Sequence, residues 1–548
     1  MRSLVTNIDH MWRFAVLAAL AIICPWLTYS TLFTGKPSVA LSVLGLVVSA
    51  VIIFTWRSPP NIEKLLVNID LRMQRLNVAA IPLALLLSGW LLAGPWLMGI
   101  PISDDVYAVM MQAETFAQGK LYVSAPPVPD AFKHARFVIT GDIWISQYLP
   151  GWALILAPFA WLKIPLWVVP PFFAVGSVII FWKIARLRLD REFSILATIL
   201  LCTSMFFVFN ANTLYTHSPA TFFGLASVYA AQKWRATDSI KWALITGAMI
   251  GGMGIIRPFN AAVFIVPIAA SIIFPMLRKN FSMARLFSIG AFGFTGFLFV
   301  IGLVIYQTMV TGSPFITIPE WMGWSEPIAA ASPSSFMFSI KRLVYLSITT
   351  SPVLVAGSAV MLFALWRAHQ LDFPDAIFPA TIVAFLFYGA DGGTPYSYGP
   401  RYLFEAFPFL ILSIVAGLSV IGLDNRFARA SIVSALVLQI SGLMSWLVFE
   451  RAAIYSIAEP YRLVRSLNLE HALVVLDSPS GKYRTLYPRD LTRNGLDLNK
   501  RSVVYADNLL DCGESLRRAF PTRSLWRYQT GTLRKISPSA VKGSEECF

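Results

Sequence analysis

The chain has 548 residues, of which 56% are hydrophobic and only 13% charged, with a mean hydropathy of +0.64 and a formal net charge of +15. A soluble domain carries about 25% charged residues, so this composition excludes an ordinary soluble protein and predicts an α-helical polytopic membrane protein.

Apolar runs near the roughly 20 residues needed to cross a bilayer fall at 14–33, 38–56, 78–98, 166–184, 193–209, 218–234, 241–256, 259–277, 286–308, 342–366, 376–390, 402–422 and 430–449, which predicts about thirteen transmembrane helices. The first run is long and lacks a small-residue cleavage site, so it reads as a retained anchor. Lys and Arg concentrate in short cytoplasmic loops. With the N-terminus inside, 19 of the 44 basic residues fall on that side, among them Lys64, Lys183, Arg188, Arg191, Lys233, Arg235, Arg285 and Arg367, and nine fall in the opposite short loops. The remaining 16 follow residue 449. The positive charge is therefore loop bias plus a basic outer tail, and it calls for no nucleic acid.

The segment 148–163 is short and broken by Pro150 and Pro158. As a span it would put the basic stretch 183–191 outside, so it reads as a helix at the outer membrane surface. The predicted organisation is a membrane hairpin with its cytoplasmic loop over 1–77, a membrane region over 78–449 with a long outer loop at 99–165, and an extracytoplasmic α/β domain over 450–548. Short strands are expected at Ala472–Asp477, Ser502–Ala506 and Ser524–Tyr528, with a helix at Gly513–Phe520. Gly481-Lys482 lacks the rest of a phosphate loop and reads as a turn. Cys24 and Cys202 lie in spans. Cys512 and Cys547 share the tail, where an outer location permits a disulfide.

Ionisable groups at membrane depth face a cavity or a partner. Here Asp104, Asp105, His217, Arg257 and Arg401 all fall at predicted outer helix ends. Asp104-Asp105 directly follows the third span; one carboxylate can accept a proton while its neighbour orients a hydroxyl or binds a cation, or the pair is a solvated turn. His217 can bind a metal or a phosphate, or cap a helix. Arg257, in the tight connection Gly254-Ile-Ile-Arg-Pro-Phe-Asn260, and Arg401, before Tyr402 and Glu405, can clamp phosphate oxygens with planar guanidinium forks. The alternative is headgroup snorkelling or, for Arg401, an ion pair with Glu405 one turn on. Trp321, Trp324 and Tyr398 can stack on sugar rings, although aromatic residues also populate membrane interfaces.

The acidic pair, Leu149-Pro-Gly-Trp-Ala-Leu-Ile-Leu156, Tyr215-Thr-His-Ser-Pro-Ala220, Ile256-Arg-Pro258 and Tyr398-Gly-Pro-Arg-Tyr-Leu-Phe-Glu-Ala-Phe-Pro408 together resemble bacterial GT-C superfamily glycosyltransferases, near the protein-mannosyltransferase and aminoarabinose-transferase relatives of glycosyltransferase family 39. The resemblance runs in order from about 78 to 422. It implies a GT-C-like fold and the transfer of a sugar from a polyprenyl-phosphate donor to a cell-envelope acceptor (lipid, glycan or protein) at the outer face of the bacterial inner membrane. Asp104 takes the position of the general base and Asp105 the adjacent acidic position, where relatives often carry Glu. Arg257, Arg401, His217, Tyr398 and Glu405 form the candidate substrate-binding set. No cofactor is certain; a divalent metal ion on Asp105 and His217 stays open. The competing classes are a lipid-linked sugar flippase or transporter, which tends to show repeated halves, and a nonenzymatic polysaccharide-assembly protein.

Overall fold

The computed structural model describes residues 62–75, 80–101, 103–132, 136–278, 283–322, 333–386, 398–476, 491–507, 513–529 and 531–536. The first two expected spans, Trp324, Cys512, Cys547 and Gly481-Lys482 lie outside the described residues. The chain divides into two compact units: Met1–Leu91, Pro170–Gly302 and Pro327–Phe449 make the first; Leu92–Val169, Leu303–Glu326 and Glu450–Phe548 make the second.

The first unit is helical. Among the described residues, four stretches are long and apolar enough to cross a membrane, Leu166–Arg186, Pro258–Pro275, Met283–Thr311 and Ala428–Ile457, or six if two bent pairs each count as one span. The expected thirteen are thus not established, because apolar helices such as Ile240–Gly254, Phe373–Phe385 and Phe407–Ile421 have 15, 13 and 15 residues.

Two expected spans are broken. The run 193–209 is Arg191–Thr203 followed by Met205–Ala211, bent by 67° where Ser204 leaves helical geometry. The run 342–366 is the end of Pro333–Thr349 and then Pro352–Arg367. Ser351 is extended there (φ −161°, ψ 128°), as the residue before a proline prefers. The last expected span also overruns residue 449, since its helix is Arg426–Ile457.

The helix His217–Thr237 runs for 21 residues, about 30 Å at 1.5 Å per residue. At its C-terminal end lie ion pairs among the segments predicted to be cytoplasmic. Arg235 binds Asp372 through both terminal nitrogens, Arg188 reaches Asp375 at 2.6 Å, Arg285 reaches Asp238 at 2.8 Å, and Arg191 pairs with Asp70. At its N-terminal end sits the cluster around Glu405 described below.

In the second unit the expected outer loop and tail share one hydrophobic core. Tyr107, Met111, Phe132, Phe137 and Trp144 from the loop are buried with Tyr461, Leu473, Val474, Tyr505 and Phe520 from the tail, and Phe132 meets Phe520 edge to face at 6.2 Å. These two segments therefore lie on the same side of any bilayer. The loop carries the helix Asp104–Ala117, strands β1 (Val123–Ser124), β2 (Phe137–Thr140) and β3 (Ile143–Ser146) in the antiparallel order β1-β3-β2, and the helix Pro150–Trp161. The tail holds β4 (Ala472–Leu476), β5 (Val503–Asp507), β6 (Ser524–Gln529) and β7 (Thr532–Lys535) in the order β5-β4-β6-β7. Its first three strands pair in parallel and β7 closes as an antiparallel edge. The helix Gly513–Ala519 stands at the expected place, whereas β7 was not expected.

Candidate functional sites

In the first unit the centre is Glu405. Its carboxylate has no exposed surface; it accepts a hydrogen bond from Asn260 Nδ2 at 2.9 Å, is hydrogen-bonded with His217 Nδ1 at 2.9 Å and forms an ion pair with Arg257 Nε at 3.0 Å. A buried carboxylate is costly unless paired and hydrogen-bonded, and here three elements supply the partners. His217 opens the helix His217–Thr237; Asn260 lies in the first turn of Pro258–Arg278, with Arg257 just before its Pro258. The connection is short enough to leave Arg257 little choice of direction, and its Nη1 also donates to Thr216 Oγ1 at 3.1 Å.

Around this carboxylate lie aromatic rings and further guanidinium groups. Arg257 faces the Tyr402 ring at 5.5 Å, and Tyr402 stacks parallel on Phe385 at 5.2 Å. Arg342, only 1% exposed, covers both rings and donates to the Phe385 carbonyl at 3.0 Å. Arg401 lies over Tyr215 at 4.5 Å. It is aimed there by a sharp turn at Tyr398 (φ 62°) and Gly399 (φ 94°). A side chain at Gly399 would bring its Cβ within 2.7 Å of Thr349 Oγ1, so both the backbone angle and the space require glycine. Tyr398 is buried, stacks on Phe209 at 4.8 Å, and takes a hydrogen bond on its carbonyl from Asn210 at 3.0 Å.

The structure thus brings His217, Arg257, Arg401, Tyr398 and Glu405 into one neighbourhood. Arg257 takes the place beside Glu405 that the sequence had offered to Arg401. Among the described residues, Arg257, Arg342 and Arg401 bring three guanidinium groups to this neighbourhood.

In the second unit, Gly99 (φ 61°) turns the chain toward the helix Asp104–Ala117, and its missing side chain leaves room for the Trp167 ring, which a Cβ would approach to 2.5 Å. Ser103 caps the helix, accepting from the Val106 amide at 3.3 Å. Asp104 and Asp105 occupy the first turn, where a helix N-terminus favours negative charge. Burial of Asp104 outweighs that preference. Together with the neighbouring Asp105 charge, and against the opposing Arg136, it raises the Asp104 carboxyl to about 6. Asp105 is held differently, accepting a hydrogen bond from Tyr148 and lying 3.7 Å from Arg136. Tyr148 is itself held where Gln112 donates to its carbonyl at 2.9 Å.

Among the described residues no group of three or more His, Cys, Asp and Glu side chains assembles for a metal ion. His217 Nδ1 is directed to Glu405 and Asp105 to Tyr148 and Arg136, so this donor set does not fit the cation left open by the sequence.

Asn260, Thr216, Tyr402, Tyr215, Arg342, Arg136 and Tyr148 were not expected to take part. Asn260, three residues after Arg257 and so on the same helical face, was the readable signal among them. Tyr148 and Arg136 reach Asp105 only through the fold of the loop.

The helical architecture with its C-terminal mixed sheet is similar in fold to a solved structure. The similarity is to the crystal structure of ArnT from Cupriavidus metallidurans bound to undecaprenyl phosphate, with a TM-score of 0.51 and 10% identity over 74% of this chain and 83% of that one. The apo state of the same protein gives 0.49, with 11% identity over 78% and 90%. At these identities the likeness is one of fold. No family profile and no curated protein matches the sequence. The long apolar helices make the chain an integral membrane protein.

Proposed function

We propose that the protein is a glycosyltransferase that moves a sugar from a polyprenyl-phosphate donor to a cell-envelope acceptor at the outer face of the inner membrane, inverting the anomeric configuration. The acceptor hydroxyl attacks the anomeric carbon, the bond from that carbon to the phosphate oxygen breaks, and polyprenyl phosphate leaves. Asp104 accepts the hydroxyl proton, Asp105 orients the acceptor, and Arg401 stabilises the charge that grows on the departing phosphate. Arg257, anchored by Glu405 and Thr216, shares that role through its remaining guanidinium nitrogen; His217 and Glu405 position it, and Tyr398 sets the turn that aims Arg401.

The observation that carries this reading is the placing of Asp104, half-buried in the first turn of the helix Asp104–Ala117 beside an Asp105 that Tyr148 and Arg136 hold; desolvation raises the Asp104 carboxyl to about 6. A base whose proton affinity lies near the working pH is ionised and still able to take a proton, and a solvated turn would show no such rise. The ArnT-like fold supports the donor class, since the ArnT structure holds undecaprenyl phosphate.

The test compares lipid-linked sugars and surface glycans, by mass spectrometry, in cells lacking the protein, carrying it, or carrying Asp104→Asn. Accumulated donor and a glycan short of one sugar, in both the null and the variant strain, are expected. A variant strain indistinguishable from wild type would remove Asp104 from the reaction, and unchanged glycans in the null strain would remove the reaction itself.

A further inference from the structure

Tyr148 touches the acidic pair without taking part in the chemistry of transfer. Asp105 sits in the first turn of the helix Asp104–Ala117 and Gln112 seven residues on, so two turns of about 3.6 residues put both side chains on one face. Tyr148 spans that face and is held at both ends. Its hydroxyl donates to Asp105 Oδ1 at 2.5 Å, and its carbonyl accepts from Gln112 Nε2 at 2.9 Å. Its amide donates to Ser146 Oγ at 3.1 Å, and Leu149, extended before Pro150 (φ −63°, ψ 153°), leads directly into the helix Pro150–Trp161. The backbone that carries the Tyr148 ring therefore has little freedom.

Gln112 is fixed as well. It is 2% exposed, and its Nε2 also donates at 3.2 Å to the hydroxyl of Tyr306, which lies in the part of the helix Met283–Thr311 that belongs to the second unit. A carbonyl can meet only the donor side of an amide, so the Tyr148 carbonyl sets which way the Gln112 side chain faces.

The two groups that reach Asp105 differ in strength. The bond from the Tyr148 hydroxyl is charge-assisted and at the short end of its range. Arg136 Nε is 3.7 Å away, beyond hydrogen-bond distance, with 35% of its side chain exposed, and an ion pair this exposed is weak. Tyr148 thus decides the rotation of the Asp105 carboxylate, which at 22% exposure an acceptor can still reach. We propose that Tyr148 is a positioning residue for the transfer reaction: it holds Asp105 in the rotation that orients the acceptor hydroxyl toward Asp104, and Gln112 holds Tyr148. This role rests on the proposed transfer and acts only through Asp105.

The experiment uses the full chain in a mild detergent, with a lipid extract of the null strain in excess as donor and membranes of the null strain titrated as acceptor; product is read by mass spectrometry. Tyr148→Phe should raise the membrane concentration that gives half-maximal rate about tenfold, the worth of a hydrogen bond to a charged group, with the maximal rate little changed. Gln112→Met, close in shape, should raise it by a smaller factor. Because the effect runs through Asp105, the double variant Tyr148→Phe, Asp105→Ala should match Asp105→Ala alone within about twofold. A tyrosine that only supports the fold would instead multiply its effect with that of Asp105→Ala. An unchanged half-maximal concentration in Tyr148→Phe, or multiplied effects in the double variant, would overturn the role and leave the reaction standing when wild type makes product and Asp104→Asn does not. No product from wild type, or undiminished product from Asp104→Asn, would overturn the proposed transfer itself and the role with it.

Discussion

Both ends of the helix His217–Thr237 are held by arginine–carboxylate pairs, yet the two ends are built for different tasks. Near Arg235 each acid meets its own arginine; Arg188–Asp375 is largely buried, but Arg235–Asp372 and Arg285–Asp238 stay partly in water, the Arg235 and Asp372 side chains being 37% and 26% exposed. Near His217 one acid with no exposed surface is shared by an imidazole, a guanidinium and an amide. Exposed pairs contribute about 0–1 kcal/mol each, whereas loss of one partner from a buried pair costs about 3–5 kcal/mol because the other charge is left uncompensated. The exposed pairs of one end fasten helices loosely, and the other end fixes a charge arrangement that tolerates little change.

The largest effect should follow from breaking the buried end. Glu405→Ala leaves Arg257, His217 and Asn260 without their common acceptor and should lower stability by about 3–5 kcal/mol, read as a fall in the thermal midpoint of the detergent-solubilised protein. Glu405→Gln keeps the shape and one acceptor and should cost distinctly less. Equal midpoints for wild type and Glu405→Ala would contradict the contrast between the ends.

Next comes Asp104→Asn, which should reduce transfer by about 10²–10⁴-fold, the usual worth of a general base. The same change should leave the thermal midpoint unchanged or raise it, because the Asp104 carboxyl is raised by burial and a neutral amide avoids that cost. In the wild type the base must be ionised, so kcat/KM should be level above pH 6 and fall about tenfold per unit below it. A profile level down to pH 4.5, or a variant that loses activity only in step with stability, would take the base role from Asp104.

These effects were unequally legible in the sequence. The acidic pair, the two arginines and His217 stood out because charges are rare in so apolar a chain, and the basic loops led to the expectation of one shared face. The α/β character of the tail was visible in its short strands, but β7 was not, because Thr532–Lys535 is a polar edge strand, exposed except at Leu533, without an apolar signature. The breaks at Ser204 and Ser351 escaped because hydropathy averages over a window longer than one residue, although Ser351-Pro352 carried a readable stop. The partner of Glu405 was misjudged for a related reason. An i,i+4 neighbour such as Arg401 is visible on one helix, whereas Arg257 reaches the same carboxylate from another connection 148 residues earlier, which only packing reveals.

Arg401→Lys should have a moderate effect. Lysine keeps the charge but lacks the planar fork and stacks less well on Tyr215, so donor KM should rise roughly tenfold while acceptor KM changes little. An unchanged donor KM would leave Arg401 as an interfacial residue packed on Tyr215.

The smallest effect should come from the exposed end. Arg285 contacts Asp238 through two nitrogens at 2.8 and 2.9 Å, but the two side chains are 27% and 45% exposed. At this exposure water and salt screen the pair. Arg285→Ala should therefore change stability by less than about 1 kcal/mol, and the change should shrink between low and high salt. Thermal midpoints measured at both salt concentrations check this. A loss as large as that of Glu405→Ala, insensitive to salt, would mean that the two ends are held by the same kind of interaction, and the difference in burial between them would then explain nothing.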